Sequence, residues 1–391
     1  MRVLALAPAY HPLIGGAESY IRTIATGLAA RGHDVLVATD GDRVPAPADD
    51  LDGQARIRRL AAYRELLDDP TKLRWEQMQF STAEELTALV DDWGTPDIVF
   101  ANSHETAVLG SMVAMTYGRP LVANFHEQQP ERGPLGRGRA RLVYATLPVN
   151  ALVAGSRFYY EKAIAYGSPV ETTHHIPHGI ECERFATEGP RRPDGRFVIV
   201  LSGRIAPRKQ QDFMVRVLAR LVAGGLDAHL VIAGRAHSSD LTYHERLLVL
   251  VKELELTDRV TLRQDLALDD MPAVYRECDV VVQPSLAEGL GLAVLEAMAA
   301  GRPTVVSDVS GLREVISDPH VGLRLPPGAE GAWAEALAQL AADERLRARL
   351  AANALSTVRR EFNVRRMLEQ TERLLEGVRA AWSPDGFDTA R

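Results

Sequence analysis

Short, uninterrupted apolar runs alternate with amphipathic stretches along this sequence, and the pattern is executed twice. From Val3 the runs VLALAPA, DVLVATD, DIVFANS, PLVANFH and ALVAGS are separated by helix-like segments, the first over Gly16 to Ala30, and the series ends near Ile180. A run apolar at every position suits a strand covered on both faces, and strand–helix alternation builds a parallel sheet. After Arg196 the series restarts with RFVIVLSG, AHLVIAG, RVTLRQD, DVVVQPS and PTVVSD, with helices predicted over 210–222, 243–256, 271–277 and 291–300. The sequence therefore predicts an α/β protein with two doubly wound, Rossmann-like domains, residues 1–190 and 191–362. Between them, 174–196 mixes proline, glycine and charge and reads as a linker. From Ala329 to Trp382 the tail is mostly helical. A length of 391 residues fits two such domains.

Charge excludes some partners. With 45 basic and 52 acidic residues the net charge is −7, so no global basic surface invites nucleic acid. Up to residue 190 there are 18 basic and 24 acidic residues, so the acidic excess lies amino-terminally. No apolar run reaches the roughly 18 residues that crossing a bilayer needs, and the chain opens Met1-Arg2 directly into a strand-like segment. No stable membrane insertion and a cytoplasmic location are expected. Cys182 and Cys278 are too few for a disulfide framework or a four-cysteine zinc site and read as structural.

Ligands of doubly wound sheets bind beyond the carboxyl ends of the strands, so the strand-to-helix loops are the place to look. Pro284 to Asp308 reads PSLAEGLGLAVLEAMAAGRPTVVSD. Glu288 follows a strand, Gly289-Leu290-Gly291 opens a helix continuing through Leu292, and Glu296 lies eight positions after Glu288. Glycines let backbone N–H groups approach an anion, and carboxylates accept paired hydrogen bonds from vicinal hydroxyls. A phosphate and two diols can be held together in this way.

This segment resembles the nucleotide-sugar signature of retaining GT-B glycosyltransferases of family 4, whose pattern is Pro-Ser, Glu-Gly-x-Gly, then Leu-Glu-Ala-Met-Ala-x-Gly-x-Pro-Val. It is matched by Pro284-Ser285, Glu288 to Gly291, Leu295 to Ala299, Gly301 and Pro303. The resemblance implies a GT-B fold, two Rossmann-like domains facing a cleft, with residues 363–383 packing back on the first. In SGRIAPRKQQD, Gly203 precedes Arg204 and Lys209, which match the family's diphosphate clamp; Lys209 is one of only four lysines. Gln210 replaces the usual following glycine. Gly15-Gly16 matches a turn approaching the donor phosphate, and His126 matches a histidine reaching the donor sugar. Gly234-Arg235 stands where the family has Gly-Asp-Gly, which turns Arg235 to the nucleotide. His178 replaces an asparagine and is given no role. Glu18, Asn102, His104 and Ser156 are acceptor-side candidates, and the loop Glu127–Arg141 reads as mobile beside the acceptor.

The reaction implied is transfer of a hexose-type sugar from a nucleoside diphosphate sugar, UDP favoured over GDP, with retention by front-face displacement. Arg204, Lys209, Glu288 and His126 form the catalytic set, with no cofactor and no metal. Asp40-Gly41-Asp42 and Asp50-Leu51-Asp52 read as solvated loop carboxylates. The acidic amino-terminal half favours a soluble small-molecule acceptor, such as a cationic aminocyclitol, over an anionic membrane surface. The arginine-rich composition associates with specialised metabolite biosynthesis. A monomer or homodimer is expected. The alternatives are a catalytically silent nucleotide-sugar-binding subunit, or a transferase acting on a lipid or polysaccharide.

Overall fold

The computed structural model describes the chain except residues 14, 42–45, 62–73, 127–135, 187–194, 237–240, 267 and 384–391. It divides into two units, Met1–His178 with the residues from Arg365 on, and Gly179–Val364. The division thus falls at Gly179, earlier than the expected 190, for a physical reason. Within the segment read as a linker, Cys182 and Phe185 form a short helix whose side chains are buried in the second unit's core. Ile180 pairs with Asn363 as an isolated bridge.

The first unit carries β1 (Arg2–Ala7), β2 (Asp34–Asp40), β3 (Asp49–Asp52), β4 (Ala55–Leu60), β5 (Ile98–Ala101), β6 (Leu121–Asn124), β7 (Ala151–Ala154) and β8 (Thr173–His175). Their order in the sheet is β3-β4-β2-β1-β5-β6-β7-β8. Among the described residues only β3 and β4 pair antiparallel; β1 pairs parallel with both β2 and β5. The chain winds one way from β1 to β2 and the other way from β5, so the β1/β5 junction is the switch point where the loops diverge. Leu4, Leu6, Val99, Ala101 and Leu121 are buried in one core cluster with Leu109 and Val113 of the helix His104–Tyr117.

β3 corrects one expectation. Asp50-Leu51-Asp52 is an edge strand, and Asp52 pairs with Arg22 at 2.7 Å while accepting from the Tyr10 hydroxyl at 3.1 Å. Asp40 ends β2 and is buried; Asp42 is outside the described residues. The chain's last described helix, Val364–Ala381, belongs to this unit from Arg365 on. Its Glu372 bonds Arg31 at 2.8 Å and His33 at 2.7 Å, and the Trp382 indole donates to the Gly118 carbonyl at 3.1 Å. At Gly27 a Cβ would fall 2.5 Å from Leu368, so a glycine lets these helices approach.

The second unit carries β9 (Phe197–Ser202), β10 (Ala228–Ala233), β11 (Val260–Arg263), β12 (Val280–Gln283), β13 (Thr304–Ser307) and β14 (Leu323–Leu325). The order is β11-β10-β9-β12-β13-β14, and every pairing given is parallel. Here the switch point lies between β9 and β12. Helices form at Gln211–Ala223, Leu241–Glu253, Met271–Arg276 and Leu292–Ala299, close to the predicted spans. The helical tail is three helices, Glu330–Ala342, Glu344–Glu361 and Val364–Ala381. Among the described residues, no helix is long and apolar enough to cross a membrane.

Candidate active site

In the second unit, the loops after β9 and β12 bring together two motifs far apart in sequence. Lys209 and Glu288 are both buried, and the lysine ammonium donates to Glu288 Oε1. Ser285 Oγ donates to the same oxygen at 2.7 Å, and Gln283 Nε2 reaches it at 3.2 Å. Arg208 stands 3.7 Å from Oε2 and donates to the Ala287 carbonyl at 3.3 Å. Burial pushes the Glu288 carboxyl up, but Lys209, Arg208 and Ser285 together outweigh it and hold it below the usual carboxylate range. The result is an ionised, fixed carboxylate at the switch point, tied to a cation.

Glu296 is built differently. It is only partly covered by the chain, and the Tyr275 hydroxyl donates to its Oε2 at 2.7 Å. Desolvation dominates over that bond and over Arg184, and pushes the carboxyl up to about 7. A carboxylate so short of donors gains from any hydroxyl pair brought to it.

Glycines shape the surrounding backbone. Gly203 and Gly234, at the ends of the neighbouring strands β9 and β10, have φ of +133° and +147°. A Cβ on Gly234 would lie 2.2 Å from the Gly203 carbonyl oxygen. Arg204 follows, exposed, its carbonyl accepting from Gln211 Nε2 at 3.0 Å. Gln210, in place of the family glycine, adopts φ +58°, so the left-handed turn forms without glycine. Arg235 is exposed and its Nε donates to the Gln264 carbonyl at 2.5 Å. Gly291 sits at φ +101° before the helix Leu292–Ala299, which starts with no side-chain cap. Leu290 is buried, and Leu292 packs against the same core. Gly289 faces Gly311, whose Cβ would meet the Gly289 carbonyl carbon at 2.4 Å. Gly311 thereby supports the Glu288 loop from below.

In the first unit, Gly15 precedes the helix Gly16–Ala30 in an extended conformation open to any residue. A Cβ here would lie 2.1 Å from Glu18 Oε2, because the Glu18 side chain folds back over it, and that carboxylate could swing aside. Gly16 is exposed. Asn102, after β5, is buried; its Nδ2 donates to the Ala17 carbonyl at 3.1 Å, and its Oδ1 lies 2.8 Å from His126 Nε2. Burial first, then His178 and His104, hold His126 well below the ordinary imidazole value. The Tyr20 ring stacks on His178 at 4.3 Å and meets His126 edge-on at 5.1 Å.

Two further acceptor-side candidates are buried. His104 is 1% exposed, its ring enclosed edge-on by Phe125 and Tyr144 at 4.4 and 5.2 Å. Its ring lies within the first unit's core. Ser156 is fully buried and caps the helix Arg157–Ala165, accepting from the Tyr159 amide at 3.3 Å. Ser156→Ala should cost about 1 kcal/mol, read as a lower denaturation midpoint at unchanged slope. Of the loop expected over Glu127–Arg141, residues 127–135 lie outside the described residues and Gly136–Arg141 is a helix. Sequence reasoning missed Arg208, Gln283 and Tyr275. Arg208 adjoins Lys209, and that adjacency was the available signal; Tyr275 gave none.

The chain is similar to two family models. Residues 14–184 match Glycosyltransferase Family 4, and residues 184–357 match Glycosyl transferases group 1. Curated relatives named D-inositol 3-phosphate glycosyltransferase include one from Saccharomonospora viridis, 29% identical over 392 residues, covering 94% of this chain and 89% of the relative. Another, from Stackebrandtia nassauensis, is 40% identical over 167 residues, and the match spans only 38% of that relative. Among solved structures, sucrose-phosphate synthase from Thermosynechococcus elongatus aligns with TM-score 0.85 at 22% identity over 97% of this chain and 99% of its own. HepE from Anabaena in complex with UDP-glucose aligns with TM-score 0.77 at 21% identity over 96% and 100%. These likenesses show the two-domain GT-B fold.

Proposed function

Because the chain belongs to the GT-B glycosyltransferases, with a family 4 amino-terminal half and a group 1 carboxy-terminal half, we propose that it moves a hexose-type sugar from a UDP-sugar to a soluble small-molecule acceptor with retention of configuration. The observation that carries the reading is Glu288, held ionised against Lys209 at the switch point of the second unit. The second unit would bind the donor. Its Gly203, Gly234 and Gly289-Leu290-Gly291 turns give the diphosphate room, Glu296 accepts the ribose hydroxyls, and Glu288 accepts from sugar hydroxyls. The first unit would bind the acceptor, with His126 beside its ligand and Gly15-Gly16 leaving space for an anionic group.

In this mechanism the bond from the anomeric carbon to the diphosphate oxygen breaks on the face from which the acceptor oxygen arrives. Arg204 and Lys209 take up the charge developing on the diphosphate, which receives the acceptor's hydroxyl proton. Lys209, fixed by Glu288, and Arg204 on the same loop would supply the electrostatic part of the work. The UDP-glucose of the HepE complex supports the choice of nucleotide, and the relatives' names make a cyclitol phosphate the first acceptor to try. A thermal-shift panel of UDP- and GDP-sugars tests the reading, since a ligand at 100 times its dissociation constant adds about 2.7 kcal/mol. A clear upward shift with a UDP-sugar is expected; no shift with any nucleotide sugar would sink the proposal.

Glu296 makes the binding pH-dependent. The carboxylate accepts a hydroxyl pair through stronger, charge-assisted bonds than the acid can make, and a group titrating at about 7 is mostly ionised at pH 8 and mostly protonated at pH 6. UDP-glucose, whose esterified phosphates do not titrate here, should therefore bind about tenfold more weakly at pH 6 than at pH 8. Calorimetry on Glu296→Gln should find weaker binding with that pH dependence gone.

A further inference from the structure

We propose that Asn102 is the positioning residue for His126, fixing its ring as the Nε2–H tautomer, so that Nδ1 acts as a hydrogen-bond acceptor and not as a proton donor. The inference rests on the proposed ligand site of the first unit, but its core is a deduction from hydrogen-bond chemistry. The Ala17 carbonyl can only accept, so the Asn102 atom 3.1 Å from it is the amide nitrogen. The other end of the amide, which faces His126 Nε2 at 2.8 Å, is then the oxygen, which cannot donate. Nε2 must carry the proton, and Nδ1 is the ring's acceptor.

Three elements make this arrangement rigid. Asn102 is 1% exposed and its own amide donates to the Leu6 carbonyl at 2.9 Å, so β1 and β5 hold its backbone. Ala17 lies in the first turn of the helix Gly16–Ala30, so one side chain ties the loop after β5 to the start of that helix and to the loop after β6. The Tyr159 hydroxyl donates to the His126 carbonyl at 2.8 Å and fixes the histidine's backbone. Around the ring stand Tyr20, His104, Tyr159 and His178. Burial and the two neighbouring imidazoles favour its neutral form. A neutral, single-tautomer imidazole can orient a hydroxyl without competing for the proton that the leaving diphosphate must take.

Nitrogen-15 NMR of the histidine rings, with the His126 signal assigned by its loss in His126→Gln, tests this in the intact chain without substrate. The expected spectrum is that of the neutral Nε2–H tautomer, unchanged from pH 8 to pH 5.5. In Asn102→Asp the carboxylate keeps an acceptor at Nε2 but adds charge, so His126 should acquire a titration within that range. The pH profile of kcat should gain the same ionisation, with kcat on the order of tenfold lower where His126 is charged. An Nδ1–H tautomer, or a parent His126 titrating near 6.5, overturns the proposal; so does an Asn102→Asp protein that is folded by circular dichroism yet leaves the His126 signals and the pH profile unmoved. If the tautomer is as expected and no nucleotide sugar binds, the positioning stands and only the donor reading falls.

Discussion

Lys209→Ala is expected to lower turnover by two to three orders of magnitude, the range found when one preorganised group facing a developing negative charge is removed. It should also destabilise the fold by about 3 kcal/mol, because Glu288 is then left buried without its principal partner. The sign of the pH dependence separates the two effects. In the parent, Glu288 titrates below its unfolded value, so its contribution to stability is present above the ordinary carboxylate pKa and is lost as pH falls through the folded value. Without Lys209, desolvation dominates and Arg208, with one longer contact, does not replace it. The folded-state pKa then rises above the unfolded one, and the variant loses stability as pH rises toward neutral. Urea titrations at pH 5 and pH 7.5 should show the variant closer to the parent at pH 5. Adding Glu288→Gln should recover part of the stability and none of the turnover. A Lys209→Ala protein as stable and active as its parent would remove the ion pair from the account.

Gly234→Ala is the second large effect. Its φ of +147° belongs to a region that residues with a Cβ avoid, at a cost of about 1–3 kcal/mol. The new methyl would also stand 2.2 Å from the Gly203 oxygen, a backbone atom that cannot swing aside. A loss of about 3 kcal/mol or more is expected, together with weaker nucleotide-sugar binding as the Arg204 loop moves. Gly331→Ala is the contrast: it lies within the helix Glu330–Ala342, with nothing within 4 Å of an added Cβ, and should be neutral or stabilise by up to about 1 kcal/mol. Melting curves of the pair compare the two backbone requirements directly.

The two sheets were legible because a strand buried on both faces must be apolar throughout. Such runs as VIVL in β9 and VVV in β12 satisfy this. β3 and β4 escaped notice because an edge pair reading DDLD and ARIRRL carries no such run. In the carboxy-terminal half, the signature motifs named Lys209 and Glu288 separately but could not reveal that one closes on the other across 79 positions. Gln283 and Ser285 complete that cluster through side chains whose orientation depends on the turn after β12. In the amino-terminal half, motif position pointed to His104 and Ser156, and their surroundings could not be read from it. Burial against Phe125 and Tyr144 assigns the first to the core, and an amide needing a cap claims the second. Asn102 shows the reverse. Its position after β5 was readable, but its role turns on a carbonyl at Ala17, 85 residues earlier, that sequence could not place.

The most direct test of the central claim is the anomeric configuration of the product formed from UDP-glucose and an inositol phosphate, read from the coupling of the anomeric proton as UDP accumulates. The account predicts stoichiometric UDP release and an α-linked product from the α-linked donor, lost together in Lys209→Ala. A β-linked product, or UDP release that Lys209→Ala leaves unchanged, would contradict it.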